Sequence, residues 1–339
     1  MTRRYFAMLF AVLALAIVPA QSWGVSNAVA GKCKAGSQYT TIQAAINAAD
    51  AGSTVQVCPG TYPEILTISK NLTVKGVASG KNNDVVITVP STGVPQNQTS
   101  GIFGMLAAQV YILKANVNLS NLTIDGGGGT TCVVDVHQVG VLFQAAGGSM
   151  TNSSVVDAPQ CGEPISAFLD LTTNFKFTNN YLSACYGVCL EMDYGSNTTA
   201  TNNLLNSAAP SYAGIEVQQL GGPATISGNI LGGGYYFSIE AQNSSSVTIT
   251  GNTVTSALGG FGVGVFGGTQ NVISGDKVSG GYAGFYLDDN GGPGGNTVTK
   301  NTVINAACGF NPATTNAGDT VSGNMYFSVT TSVCPFTPV

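Results

Sequence analysis

Through the C-terminal two thirds of the chain, apolar residues alternate with polar ones in short runs separated by Gly, Asn, Ser and Thr. One run reads Gly214-Ile215-Glu216-Val217-Gln218, followed after a glycine turn by Thr225-Ile226-Ser227-Gly228-Asn229-Ile230. Alternation with a period of two marks β-strands that bury one face. The runs recur. A phrase made of an apolar or Thr position, a small residue, Asn and an apolar pair returns along the chain. Its second polar position gives the series Asn180, Asn203, Asn229, Asn252, Asp276, Asn301, Asn324, in steps of 23, 26, 23, 24, 25 and 23 residues. A near-constant step in this range signals a stacked repeat. A unit of this size with two or three short strands cannot bury its apolar face alone. The units must stack, each strand pairing in parallel with its counterparts in the coils above and below. The Asn series then reads as a ladder of like residues that satisfies backbone groups where each coil bends.

The start of the chain adds two elements. Residues 1–30 place Arg3 and Arg4 before an apolar run, with small residues at Val18-Pro19-Ala20 and Ala28-Val29-Ala30. This is the form of a secretory signal peptide, with cleavage expected after Ala20 or Ala30, and no other stretch is apolar for long enough to span a membrane. Next, Tyr39-Thr40-Thr41-Ile42-Gln43-Ala44-Ala45-Ile46 leads into Gly52-Ser53-Thr54-Val55-Gln56-Val57-Cys58-Pro59-Gly60-Thr61-Tyr62-Pro63-Glu64 and Leu66-Thr67-Ile68-Ser69-Lys70-Asn71-Leu72-Thr73-Val74-Lys75-Gly76. Thr40 or Thr41 can cap a short helix whose Ile42, Ala45, Ile46 and Ala49 form one apolar face. Such a helix would plug the open N-terminal end of the solenoid. This opening resembles that of pectin methylesterases and other secreted β-helix proteins of the pectin-lyase-like superfamily. The resemblance implies an all-β, single-domain right-handed parallel β-helix over residues 31–339, exported, with a short capping helix.

Export changes the charge and cysteine readings. Without residues 1–30 the chain has no Arg, and nine Lys stand against 16 acids, a net charge near −7. That balance disfavours nucleic acid, whose phosphates call for basic partners. Eight cysteines in an exported chain point to disulfides. Cys33–Cys58 and Cys308–Cys334 are the natural pairs at the two ends. Cys132, Cys161, Cys185 and Cys189 can pair as Cys132–Cys161 with Cys185–Cys189 or otherwise, with zinc at Cys185 and Cys189 the less favoured alternative.

Strand alternation also aligns outward positions of successive coils. Taking Val141/Phe143, Ala167/Leu169, Val188/Leu190, Ile215/Val217, Phe237/Ile239, Val263/Val265 and Phe285/Leu287 as interior pairs, the residue after each gives the column Gln144, Asp170, Glu191, Gln218, Glu240, Phe266, Asp288. Four of only 16 acids fall in one outward column of seven, with Glu216, Asp193, Asp289 and the aromatics Phe168 and Tyr286 beside it. Asp170, Glu191, Glu240 and Asp288 are therefore the candidate catalytic groups, and Phe168, Tyr286, Gln218 and Glu216 the candidate substrate contacts. Glu191 and Glu240 are expected two coils apart, ~9–10 Å, near the upper end of the separation in inverting glycosidases. Ca²⁺, a hard cation that takes carboxylate oxygens, is the candidate cofactor. The only histidine, His137, lies two residues after Asp135 in the Gly-rich insertion 126–138, where the two could act as an acid–base pair if that segment is extended. The insertion between Ala78 and Lys114 also breaks the period, and such insertions tend to build a cleft on one face.

The resemblance narrows the chemistry. Pectin methylesterases use an Arg with two Asp, and lyases of this fold use Arg or Lys as base, so a chain without Arg departs from both. Polygalacturonase-like hydrolases carry Gly-His-Gly and Arg-Ile-Lys motifs, and neither occurs here. The expectation is a polysaccharide partner gripped or hydrolysed at the acidic column; the alternative is a non-enzymatic surface or adhesin-like β-helix.

Overall fold

Each repeat contributes three short strands, one to each of three parallel sheets. The computed structural model describes residues 25–78, 84–127, 135–157, 164–207, 210–257, 260–290, 294–314 and 318–334. One coil shows the pattern: Val188–Asp193 lies in sheet C, Thr198–Thr201 in sheet A and Leu204–Asn206 in sheet B, each hydrogen-bonded to the matching strand one repeat away. The sheets hold 13 (A), 11 (B) and 12 (C) strands. The alternation explains the core, because Leu190, Met192, Ala200 and Leu205 of this coil all point inward and are buried. Apolar columns of this kind fuse into one continuous interior running the length of the solenoid.

The Asn phrase is explained by the bend between sheets A and B. The residue before each ladder position adopts the left-handed conformation, with φ of 55° at Asn179 and Asn202, 64° at Gly228, 65° at Gly251, 69° at Gly275 and 66° at Gly323. Gly and Asn tolerate that region best, which is why the phrase reads small residue, then Asn. The ladder is present. The Oδ1 atoms of Asn203, Asn229, Asn252, Asp276, Asn301 and Asn324 accept from the backbone N–H one coil earlier at 2.7–2.9 Å. The amides of Asn180, Asn203, Asn229 and Asn252 donate to buried carbonyls. A second ladder joins Asn271 to Asn296 and Asp319.

Asp276 has no amide to donate, and its buried Oδ2 has no partner. Burial pushes its carboxyl up to about 6 against the opposing bonds from the Asn252 backbone and side chain. A folded-state pKa above the unfolded one means the carboxyl is tolerated when protonated and costs stability as pH rises from ~4 through 6. Asp276→Asn should therefore stabilise the protein by about 2–3 kcal/mol at pH 8 and much less at pH 4. Denaturant midpoints of both proteins at the two pH values check this; an equal gain at both would rule out the charge as the cause.

The helix at the N-terminal end spans Ile42–Ala48, capped by Thr41, whose Oγ1 accepts from the Ala44 N–H at 3.1 Å. Ile42, Ala45 and Ile46 are buried, and the Glu64 carboxylate accepts from the Ile42 and Gln43 N–H groups at 2.8 and 2.9 Å. An anion there also complements the helix dipole. Ahead of the helix, Val25–Ala30 forms a strand in sheet A between Ser37–Tyr39 and Ala49–Val57, with Ala28, Val29 and Ala30 fully buried. Cleavage after Ala30 would remove this strand and strip the edge of Ala49–Val57. We therefore expect cleavage of the expected signal peptide to fall before Val25; N-terminal sequencing and intact mass decide, and a mature start at Gly31 would contradict it.

Cys33–Cys58, Cys185–Cys189 and Cys308–Cys334 are disulfides, so the zinc alternative at Cys185 and Cys189 is not formed. The expected Cys132–Cys161 pair lies outside the described residues, as does most of the expected signal peptide over residues 1–30. Among the described residues no helix is long and apolar enough to cross a membrane.

Candidate functional site

Three columns run along the outer face of sheet C. The first is apolar: Val139, Ile165, Val188, Ala213, Phe237, Phe261, Ala283. The second reads Leu142, Phe168, Glu191, Glu216, Glu240, Gly264, Tyr286, and the third Gln144, Asp170, Asp193, Gln218, Gln242, Phe266, Asp288. The column expected from the sequence mixes the second and third. Val188 and Phe237 are apolar yet outward, packed in an external cluster with Phe261 and Tyr286, and counting them as core slipped two coils by two residues. The true interior pairs are Leu190/Met192 and Ile239/Ala241. A slip of two preserves the face and changes the column. The acids therefore stay outward. Glu191, Glu216 and Glu240 occupy three consecutive coils, and Asp193, not Glu191, follows Asp170.

The second correction is burial. The expected outward acidic column is covered. Asp170 and Glu216 are 2% exposed, Glu240 1%, Glu191 and Asp193 0%. The insertion between Ala78 and Lys114 supplies part of the cover as a hairpin, Gln98–Ser100 antiparallel to the start of Gly104–Leu113. At its tip the Phe103 ring meets Phe168 edge-on at 5.5 Å and His137 at 5.3 Å. Phe168, expected to stack on substrate, is thus buried beneath Phe103. Gln144 ties the hairpin to the acids, donating to the Thr99 carbonyl and to Asp170 Oδ2, both at 2.8 Å. The expected acid–base pair is not set up by strand alternation. Asp135 turns with φ 60°, so the segment is not extended there, and His137 packs on Phe103 instead.

No Lys stands in any of the three columns, so the charged side chains that neighbour one another along them are all acids. Both oxygens of Glu191 and of Asp193, Oδ1 of Asp170 and Oε2 of Glu240 are buried with no hydrogen-bond donor when ionised. Burial, then the charges of Asp193 and Glu216, hold the Glu191 carboxyl well above the carboxylate range. Burial pushes Asp193 up to about 7, although a hydrogen bond with Glu191 pulls it back. Glu240 is pushed to about 8 by burial and by Glu216, against a bond from the Tyr212 hydroxyl. Asp170 is raised by burial and lowered by Gln144. The consistent picture is proton sharing, with protonated Glu191 supplying the donor that ionised Asp193 lacks. Among the described residues no three His, Cys, Asp or Glu side chains converge as metal ligands would.

Glu216 reaches a pocket of about 270 Å³ lined by Phe103, Val188, Tyr212, Gln218 and Gln242. Gln218 donates to the Glu216 carboxylate. The acid run ends at Gly264, where an added Cβ would come within 2.7 Å of the Phe266 ring. Phe266 stacks on Tyr286 at 4.4 Å, so an aromatic block follows the carboxylates directly. Asp288 and Asp289 lie beyond it, bound to local groups: Asp288 accepts from the Asn290 N–H at 2.9 Å and the Tyr286 hydroxyl at 3.4 Å, Asp289 from the Asn296 amide at 2.7 Å. A larger hollow of about 410 Å³ at the bend between sheets A and B is lined by Asn121, Asn152, Asn179 and Tyr181. Asp84 is the one acid in its lining, so it offers no carboxylate pair.

The family model for the right-handed β-helix region matches residues 165–325. No curated protein sequence matches. Among solved structures, the A-module of the Azotobacter vinelandii mannuronan C-5 epimerase AlgE6 is similar at 18% identity, covering 88% of this chain and 91% of that one, with a TM-score of 0.60. DFA-IIIase from Arthrobacter chlorophenolicus A6, solved as a point mutant, is 15% identical over 89% of this chain and 84% of that one, with a TM-score of 0.56. The Dettilon tailspike protein is 17% identical over 89% of this chain and 68% of that one, with a TM-score of 0.53. These likenesses are likenesses of fold, and together with the three parallel sheets they show the chain to be a right-handed parallel β-helix.

Proposed function

We propose that this protein, exported through its N-terminal segment, binds and hydrolyses polysaccharide on the outer face of sheet C. Glu240 serves as general acid and Glu216 as its partner carboxylate. The observation that carries the reading is the run Glu191, Glu216, Glu240 on three consecutive coils, with Glu240 pushed to about 8 and Glu216 open to a pocket. A carboxyl that keeps its proton at neutral pH can protonate a leaving oxygen, while a neighbour that ionises can act as nucleophile or base. Adjacent coils are ~4.8 Å apart, close to the separation of retaining glycosidases, whereas Glu191 and Glu240 at ~10 Å resemble an inverting pair. The Glu216/Glu240 pair is preferred because Glu216 lines the pocket and Glu191 is fully buried. The epimerase module, by its name, acts on mannuronan, in keeping with a glycan as partner. The disulfides are in keeping with export.

The non-enzymatic, adhesin-like reading draws on the depth of Glu191 and Asp193, which suits a scaffold held together by shared protons. A polysaccharide panel scored for new reducing ends separates the two. We expect release from at least one neutral polymer, falling ~10²–10⁴-fold in Glu240→Gln, the range of a general acid. Binding without release from any polymer would favour the scaffold.

A further inference from the structure

We propose that the glycan taken by this face carries no carboxylates, and that it lies along a ladder of tyrosines parallel to the solenoid axis with its hydroxyl or amine donors toward Glu216. The inference rests on the polysaccharide reading above and narrows it to a substrate class. It begins from aromatic residues outside the carboxylate columns. Ser211 and Ala213 pair with Tyr235 and Phe237, which sets Tyr212 opposite Tyr236 on the next coil. Both rings are open to solvent, at 42% and 51% exposure, although each abuts Phe237 edge-on, at 5.6 and 4.6 Å. Phe237 pairs with Phe261 and Phe261 with Ala283, so Tyr282 continues the same line two coils beyond Tyr236. Gly260 holds the place between them, where a Cβ would lie 1.8 Å from the Tyr236 carbonyl oxygen. The ladder thus has rings at steps of ~4.8 and ~10 Å. Aromatic rings fixed in this way offer flat apolar faces to the C–H faces of sugars at little entropic cost.

The polar side of the same cleft sets the charge rule. Tyr212 and Glu216 line one pocket. Beside Glu216, Glu240 Oε2 is buried with no hydrogen-bond partner. Buried acceptors call for donors. Sugar hydroxyls and ammonium groups donate, whereas an ionised uronate only accepts and brings a negative charge to a buried face whose carboxyls keep their protons because it holds such charge poorly. The columns contain no Lys, the exported chain has no Arg, and Lys75 and Lys176 lie in sheet A and Lys277 in sheet B.

The test is binding of the full exported chain, at matched ionic strength and pH 6, to neutral chains (β-glucan, xylan, mannan), to chitosan, and to polygalacturonate and alginate. We expect retention of at least one neutral or amine-bearing chain and none of the polyuronates. Loss of chitosan binding at high salt, with neutral chains kept, would assign the donors as hydroxyls and amines respectively, and both support the proposal. Tyr236→Ala should weaken binding about tenfold, consistent with the loss of one aromatic stacking contact, while its thermal melt stays that of the parent because the ring is half exposed. Binding of polyuronates alone, or unchanged affinity in both Tyr236→Ala and Tyr282→Ala, would overturn this inference and leave the polysaccharide reading standing. Binding of no glycan at all would remove both.

Discussion

Asn229→Ala should lower the stability of the solenoid by about 4 kcal/mol, because it removes buried bonds on both sides of one coil. Asn229 Oδ1 accepts from the backbone N–H and the amide of Asn203, both at 2.9 Å, and Asn229 Nδ2 donates to the Ala200 carbonyl and to Asn252 Oδ1, again at 2.9 Å. Alanine leaves the Asn203 N–H and the Ala200 carbonyl inside with no solvent in reach. Each such orphan costs ~1–3 kcal/mol, where a simple surface deletion costs almost nothing. The penalty is shared with the neighbouring coils, since a repeat is stabilised through its interfaces. The melting temperature should fall by about 10 °C, and urea unfolding should show the same change in midpoint with an unchanged slope. Asn229→Asp is the informative comparison, since it keeps the acceptor, loses the amide donor and at high pH adds the buried charge that Asp276 already carries. If Asn229→Ala costs less than ~1 kcal/mol, the ladder is not what holds the bends together.

The second large effect is a loss of stability with rising pH, arising in the carboxylate columns. Asp193 sits at about 7 and Glu240 at about 8 in the folded chain, from ordinary values of 3.8 and 4.5. Both shifts are upward, so the folded state holds these protons more tightly than the unfolded chain does. The associated stability is complete below pH ~4 and is lost as pH climbs through 7 and 8. Each group accounts for about 4–5 kcal/mol at most over that window, since one pKa unit is 1.36 kcal/mol. Stability should therefore be greatest near pH 4–5 and fall steeply towards pH 9. Glu240→Gln removes one titrating group and should flatten the upper part of the curve, above pH ~6. A profile that is flat from pH 5 to 9 in the parent would mean that the acids find counter-charges or water on this face.

The sequence was enough for the fold because the repeat repeats its own geometry. The Asn steps, the left-handed residue before each Asn and the inward apolar pairs are one constraint seen three ways. The second ladder, Asn271 to Asn296, escaped notice because its asparagines share no flanking phrase. The outward acidic face was legible in the sequence, and its columns were misplaced in detail. Scarce acids on one outward face were correctly gathered, but Val188 and Phe237 look like core residues to any rule based on polarity. They pack on the outside only because Phe261, Phe266 and Tyr286 are there to receive them, a contact between coils that no local pattern contains. Burial was illegible for the same reason. Nothing between Ala78 and Lys114 announces that Phe103 will reach across to Phe168 and help roof the acids.

The proposed function requires carboxyls that keep their protons at neutral pH on the face where a sugar chain would bind. Carbon-13 NMR of the Asp and Glu side-chain carboxyls, assigned with Glu191→Gln and Glu240→Gln, reads this directly. At pH 7 the Glu191 and Glu240 signals should stand at protonated positions, and addition of a bound oligosaccharide should shift Glu240 and Glu216 while leaving Asp50 and Asp84 in place. Glu191 and Glu240 signals already ionised at pH 5, with no response to any bound glycan, would contradict it.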